Sequence, residues 1–240
     1  MLFRSTFARA ENIELGASGP MREALGLLVP AFERQSAHKV KTLLASDVEA
    51  RAATRRGEDV DVAIIAGPFE DILASGGVLA DTRRDLARAK LGLAVRGRDT
   101  KPDVSSMDAL RRALLAAPRI AWPDPRGALA GVLFEACLDK LGVRDAIAAK
   151  STRPRGGPAT MVALPREEAD VAIAFISEIL PEPGVDLAGA LPEECAPPAT
   201  YAGFVLRGSK NADAGRALLG FLRGADAAKA YETAGMSPVK

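Results

Sequence analysis

The amino-acid sequence predicts an α/β protein whose strands and helices alternate and whose chain divides into two lobes. Three observations predict it. Apolar strand-like runs and helical periodicities follow one another along most of the 240 residues. The runs at 60–65 (VDVAII) and 170–175 (DVAIAF) are short, apolar and β-branched, as buried parallel strands are. Two segments about a hundred residues apart, LGLAVRGRDT at 91–100 and AGFVLRGSKN at 202–211, share one pattern: apolar strand, Arg-Gly, polar turn. They fit a chain that leaves a first lobe (11–90 plus 201–240) and returns after building a second (91–200), although two ordinary strands of a single sheet would read the same way.

In order, strands are expected at 12–16, 39–44 (KVKTLL), 60–65, 90–96 (KLGLAVR), 118–122 (PRIAW), 147–152, 170–175, 185–187 and 200–206 (TYAGFVL). Helical patterns fill 20–35, 47–56, 68–75, 106–116, 127–140, 143–147, 158–165, 176–180, 210–223 and 225–234. This βαβ rhythm predicts mainly parallel sheets. No solenoid repeat or low-complexity linker interrupts it.

The composition, 48% hydrophobic and 26% charged, is that of a globular protein. A net charge of +1 without any basic run argues against nucleic-acid binding. No run of about 18 apolar residues is present, so no membrane-inserted helix is expected. The two cysteines, Cys137 and Cys195, lack zinc-ligand spacing. Cys137 lies in an apolar helical run and is expected as a buried, unreactive thiol; a bond between the two stays open. His38 is expected at the surface, with no partner for catalysis. Neither metal nor cofactor is expected, and no catalytic residues are assigned. The start, MLFRSTFARAEN, is free of acids before Glu11 and carries a small-x-small triplet at 8–10. Residues 1–10 are too short for a complete signal peptide, and fit either a signal remnant or a disordered start.

Small residues recur at the strand-to-helix turns: Gly16 to Pro20, Ala45-Ser46-Asp47, Ala66-Gly67-Pro68 and Gly156-Gly157-Pro158. Pro20, Pro68 and Pro158 are placed for the first position of a helix. A helix N-terminus presents unpaired N–H groups and partial positive charge, and small residues let an anion reach them. Gly, Ser and Pro also make ordinary turns, and Ser18, Ser46 and Asp47 are good N-caps. Several such turns in one chain point to an anion site at the strand ends, where α/β folds place ligands.

The stretches GASGPMREALGLLVPAFERQSAHKVKTLLAS (16–46), GEDVDVAIIAGPFEDILASGGVL (57–79) and WPDPRGALAGVLFEACLDKLGV (122–143) resemble the molybdate-binding branch of the periplasmic solute-binding proteins, receptors of ABC importers. ISEILPEPGVDLAGALPEE (176–194) is similar to a divergent subgroup. The resemblance implies a type II periplasmic-binding-protein fold, with a cleft between two lobes. It implies an anion held by serine hydroxyls and backbone N–H groups: Ala17, Ser18 and Gly19, then Ser46, then Ala66 or Gly67, then Gly156 or Gly157. The family's tyrosine falls near Phe175 or Ile176, so its hydroxyl is missing, with Ser177 at the edge as a substitute. Asp47 is a second departure, since a carboxylate beside a dianion is repulsive. Arg153 and Arg155 flank the Gly-Gly turn, and a guanidinium fork suits a planar carboxylate. The expected ligand is therefore a molybdate-like oxyanion or a small organic di- or tricarboxylate. The resemblance further implies a monomeric, periplasmic, non-enzymatic receptor that docks on a transporter permease. The alternative is a cytoplasmic sensor of a small organic acid, consistent with the incomplete signal sequence.

Overall fold

The computed structural model describes residues 10–57 and 59–239, so the expectation for the N-terminus falls, apart from residue 10, outside them. In chain order it runs β1 (Asn12–Ser18), a 3-10 turn at Gly19–Met21, α1 (Arg22–Gln35), β2 (Lys39–Ala45), α2 (Asp47–Arg56), β3 (Val62–Ala66), α3 (Glu70–Ser75), a 3-10 turn at Ala80–Thr82 and β4 (Arg84–Ala89). Then follow β5 (Leu91–Arg96), α4 (Met107–Ala116), β6 (Ile120–Ala121), α5 (Leu129–Leu141), α6 (Arg144–Ala148), β7 (Ser151–Thr152), α7 (Gly157–Met161), β8 (Val171–Phe175), α8 (Ile176–Ile179) and β9 (Val185–Ala190). The chain closes with β10 (Ala199–Val205), α9 (Ala212–Leu222), α10 (Ala225–Thr233) and β11 (Met236–Pro238).

These strands form two sheets, of order β11-β4-β10-β3-β1-β2 and β7-β6-β8-β5-β9. The chain passes from the first to the second at Lys90, between β4 and β5, and returns between β9 and β10. The look-alike segments are therefore strands of different sheets. Parallel pairing joins β2 to β1, β1 to β3, β7 to β6 and β6 to β8. The remaining strands pair antiparallel, so each sheet is mixed around a parallel core of three strands. The antiparallel strands β5 and β10 lie next to β8 and β3, both buried along their whole length.

Two local expectations need correction. The run 147–152 is helical through Ala148, which leaves β7 only Ser151 and Thr152. Pro68 does not start a helix: it follows a cis Gly67–Pro68 bond, and α3 begins at Glu70. Two strands escaped prediction. β4 (RDLARA) hides Leu86, Ala87 and Ala89 among charges, and β11 carries Pro238 on the sheet edge, where proline is tolerated.

Packing ties the sheets together beneath their facing ends. Phe175 at the end of β8 meets Tyr201 of β10 edge-to-face, with centroids 6.2 Å apart. Behind the second sheet Trp122 and Phe134 pack at 5.4 Å. The expected free thiol at Cys137 is instead half of a disulfide to Cys195. Cys137 lies on the buried face of α5, where the 191–196 segment returns over the helix, and both cysteines are buried.

Candidate anion cleft between the two sheets

The cleft between the sheets has a volume of about 780 Å³. One wall comes from the first sheet: the turn after β1 with Gly19, Pro20 and Arg22, and the start of α2 with Ser46, Asp47 and Glu49. The other comes from the second: Asp124 and Arg126 before α5, then Arg153, Arg155, Gly156 and Gly157 leading into α7. Phe175 and Glu178 complete the lining.

Local sequence chemistry sets these positions. Ser46 is the N-cap of α2 in a reciprocal capping box: its Oγ accepts the Glu49 N–H at 3.2 Å, while Glu49 Oε2 accepts the Ser46 N–H at 3.2 Å. The Ser46 hydroxyl also donates to Glu49 Oε2 at 2.7 Å. Asp47 reaches across the cleft, and its Oδ2 accepts the Leu129 N–H at 3.0 Å. One sheet's helix thus supplies a carboxylate to the first turn of α5 on the other sheet, where N–H groups are unpaired.

The structure brings Gly19, Ser46, Asp47, Arg155, Gly156 and Gly157 together around the cleft. Ala17, Ser18 and Ser177 are buried and do not line it. Ala66 and Gly67 are also absent from the lining. Their turn is engaged elsewhere: the Ala66 carbonyl accepts from Arg51 at 3.0 Å, and the Gly67 N–H donates to the Thr200 carbonyl at 2.9 Å. Arg153 stacks its guanidinium 4.3 Å from the centre of the Trp122 ring. Arg155 lies close enough to Glu49 to help hold that carboxyl below its usual range, after the larger effect of the Ser46 hydrogen bonds.

Two groups were missed by sequence reasoning. Glu178, on the one-turn helix α8, places its carboxyl between Gly157 and Gly19: a Cβ at Gly157 would sit 2.2 Å from Glu178 Cδ, and one at Gly19 3.7 Å from Oε1. Burial and the nearby Asp47 raise this carboxyl to about 8, against the opposing pull of a backbone hydrogen bond at Phe175 and the charge of Arg22. Tyr201 is fully buried, and burial together with Asp47 and Glu178 pushes its hydroxyl well above the usual range. Asp47 is itself raised by burial, opposed by the Leu129 N–H. The Ser18 hydroxyl lies beside Asp47 without an aligned hydrogen bond.

Ser18 Oγ, Asp47 Oδ1, Ser177 Oγ and Tyr201 OH are buried polar atoms without hydrogen-bond partners among the described residues. Native interiors leave few such atoms. Here Ser18, Asp47, Tyr201 and Glu178 are electrostatic neighbours, with Asp47 and Glu178 lining the cleft and Ser18 and Tyr201 buried behind them. The layer behind the cleft wall is therefore polar and weakly solvated. Around the cleft stand the guanidinium groups of Arg22, Arg126, Arg153 and Arg155. Arg126 is paired with Asp124, which it holds at about 2.

Comparison with known proteins agrees with this architecture. The periplasmic molybdate-binding protein from Azotobacter vinelandii superimposes with a TM-score of 0.78 at 17% identity, over 95% of this chain and all of that one. This likeness places the fold among the type II periplasmic binding proteins. An aconitate isomerase from a Pseudomonas species is 33% identical over 233 residues, covering 93% of this chain and 85% of the relative. The molybdate-binding protein ModA of Escherichia coli (strain K12) is 27% identical over 124 residues, 52% of this chain and 48% of the relative. The profile of the family described as bacterial extracellular solute-binding protein matches residues 13–237. The chain belongs to the bacterial extracellular solute-binding protein family.

Proposed function

We propose that the protein captures a small organic di- or tricarboxylate between two lobes, 11–90 with 201–240 and 91–200, as the receptor of an ABC-type importer. The observation that carries this reading is the charge pattern of the cleft. Asp47 and Glu178 turn carboxyls inward, with four arginines around them. A tetrahedral dianion placed against those carboxyls would be repelled unless both were protonated. A longer polycarboxylate can hold its carboxylates on Arg153 and Arg155, clear of Asp47 and Glu178, and turn its uncharged carbon chain toward those two acids. A cleft of about 780 Å³ falls in the range that holds small organic ligands. The Cys137–Cys195 bond fits an oxidising compartment, as a periplasmic receptor requires.

A thermal-shift panel of molybdate, tungstate, sulfate, phosphate, citrate and cis-aconitate tests the reading. Stabilisation by the carboxylates is expected. Stabilisation by molybdate or tungstate alone overturns it. Arg155→Ala is expected to weaken carboxylate binding about 10-fold, the equivalent of one charge-assisted hydrogen bond.

A second reading is that the bound acid is also converted. It is favoured by the raised Glu178 carboxyl, a property common at catalytic sites, and by the relative named aconitate isomerase. Turnover of cis- to trans-aconitate during the same panel separates an isomerase from a receptor alone.

A further inference from the structure

We propose that Glu178 is a catalytic base that shifts a double bond in an unsaturated di- or tricarboxylate bound in the cleft, moving one proton between allylic carbons. The proposal rests on the carboxylate reading of the site. A double bond is relocated without a cofactor either by a nucleophile that adds and leaves or by proton transfer. The first route lacks its usual thiolate, because Cys137 and Cys195 are bonded to each other. His38 accepts the Glu11 N–H and stacks on Phe32, and it does not line the cleft.

Among the acids that line the cleft, three are already engaged. Glu49 closes the capping box with Ser46, Asp124 pairs with Arg126, and Asp47 caps α5 at Leu129. The Glu178 carboxyl is engaged by a backbone group at Phe175 and by no side-chain hydrogen-bond partner among the described residues, and it is flanked by Gly157 and Gly19, which put no side chain between it and a ligand. The charged and titratable groups that face it are Asp47 and Arg22 from the first sheet's side and Tyr201 from β10. With its carboxyl at about 8, both protonation states are populated near neutral pH, as a group that takes and returns one proton needs.

The step balances within the site. The Glu178 carboxylate removes a proton from the saturated carbon between a carboxylate and the double bond. The C–H electron pair forms the new double bond, while the old π pair spreads onto the far carboxylate. Glu178 then gives the proton to the former vinylic carbon. No electrons or atoms are lost. The geometry of the new double bond is set by the conformation of the old single bond when the proton leaves. The guanidinium groups at the cleft are placed to stabilise the charge that develops on the far carboxylate.

Proton NMR of cis-aconitate with the full chain in D2O, against a protein-free blank, tests this. Deuterium is expected to enter the methylene and vinylic positions as the trans isomer forms. Glu178→Gln is expected to lower that rate about 100-fold or more while the thermal shift with cis-aconitate persists. Binding with neither isomerisation nor exchange in the unaltered protein overturns the proposal and leaves the carboxylate reading standing. Exchange at the unaltered rate in Glu178→Gln also overturns it. No thermal shift from any carboxylate overturns the carboxylate reading itself. Should Glu178→Gln fail to fold by circular dichroism, Glu178→Asp decides: a slower rate with a moved pH midpoint supports the assignment, and an unchanged rate and midpoint overturns it.

Discussion

Replacing Glu178 by Gln keeps the shape of the side chain and fixes it in its neutral form. In the folded protein the Glu178 carboxyl is raised from 4.5 to about 8, with burial as the largest cause. Between those values the folded state keeps a proton that the unfolded state has released. Stability therefore falls as pH rises through the window, and the loss is complete above the folded value. At about 1.4 kcal/mol per pH unit, the gap sets a ceiling of about 5 kcal/mol. Glu178 lines a cleft open to water, so roughly half of that is expected. Urea unfolding of both proteins at pH 5, 7 and 9 reads the effect. Between pH 5 and 9 the stability advantage of Glu178→Gln over the unaltered protein should grow by about 2–3 kcal/mol. Parallel pH profiles would show that the Glu178 carboxyl is ordinarily solvated, and would refute the argument.

Gly157→Ala should force the Glu178 carboxyl out of its place, because the new Cβ would lie 2.2 Å from Cδ. The positive φ in this turn belongs to Gly156, so the backbone at Gly157 accepts alanine. The protein should stay folded by circular dichroism while the pH dependence assigned to Glu178 shrinks; an unchanged pH profile counts against the placement. Asp47→Ala removes the carboxylate that caps α5 across the cleft, and should cost about 1 kcal/mol in thermal unfolding and increase the radius of gyration in small-angle scattering. Equal melting and scattering would show that this contact does not hold the two sheets together. Replacing both Cys137 and Cys195 by Ala opens a loop whose ends are 58 residues apart and should cost about 4 kcal/mol in urea unfolding. A loss below about 1 kcal/mol would contradict that loop-closure account.

Most of the fold was legible because its signals are local. β3 and β8 are uniformly apolar, and Ser46, read as an N-cap, does start α2. β4 was hidden because Arg84, Asp85 and Arg88 interrupt its buried residues, which belong to a strand flanked on both sides. The cleft was half legible. Its small-residue turns stand out in the sequence, and Ser46, Asp47, Gly156 and Gly157 do come together. Glu178 carries no local sign: it is one acid on a one-turn helix and gains its character from Gly157, Gly19 and Asp47, all distant in the chain. Tyr201 reads as an ordinary apolar strand residue, and only the fold sets its hydroxyl beside two carboxyls. Asp47 looked like a local cap, yet its partner is Leu129, 82 residues away. Likewise, the apolar surroundings of Cys137 give no hint that Cys195 folds back upon it.

The sulfur bridge makes everything from residue 137 to residue 195 a covalent ring. That ring carries the exposed Arg153 and Arg155 as well as Glu178. A protease that cuts once after Arg155 would leave no loose fragment. The nicked chain would migrate as one band until a reductant is added, then as two. Survival of the chain would then depend less on avoiding the first cut than on keeping the bridge oxidised.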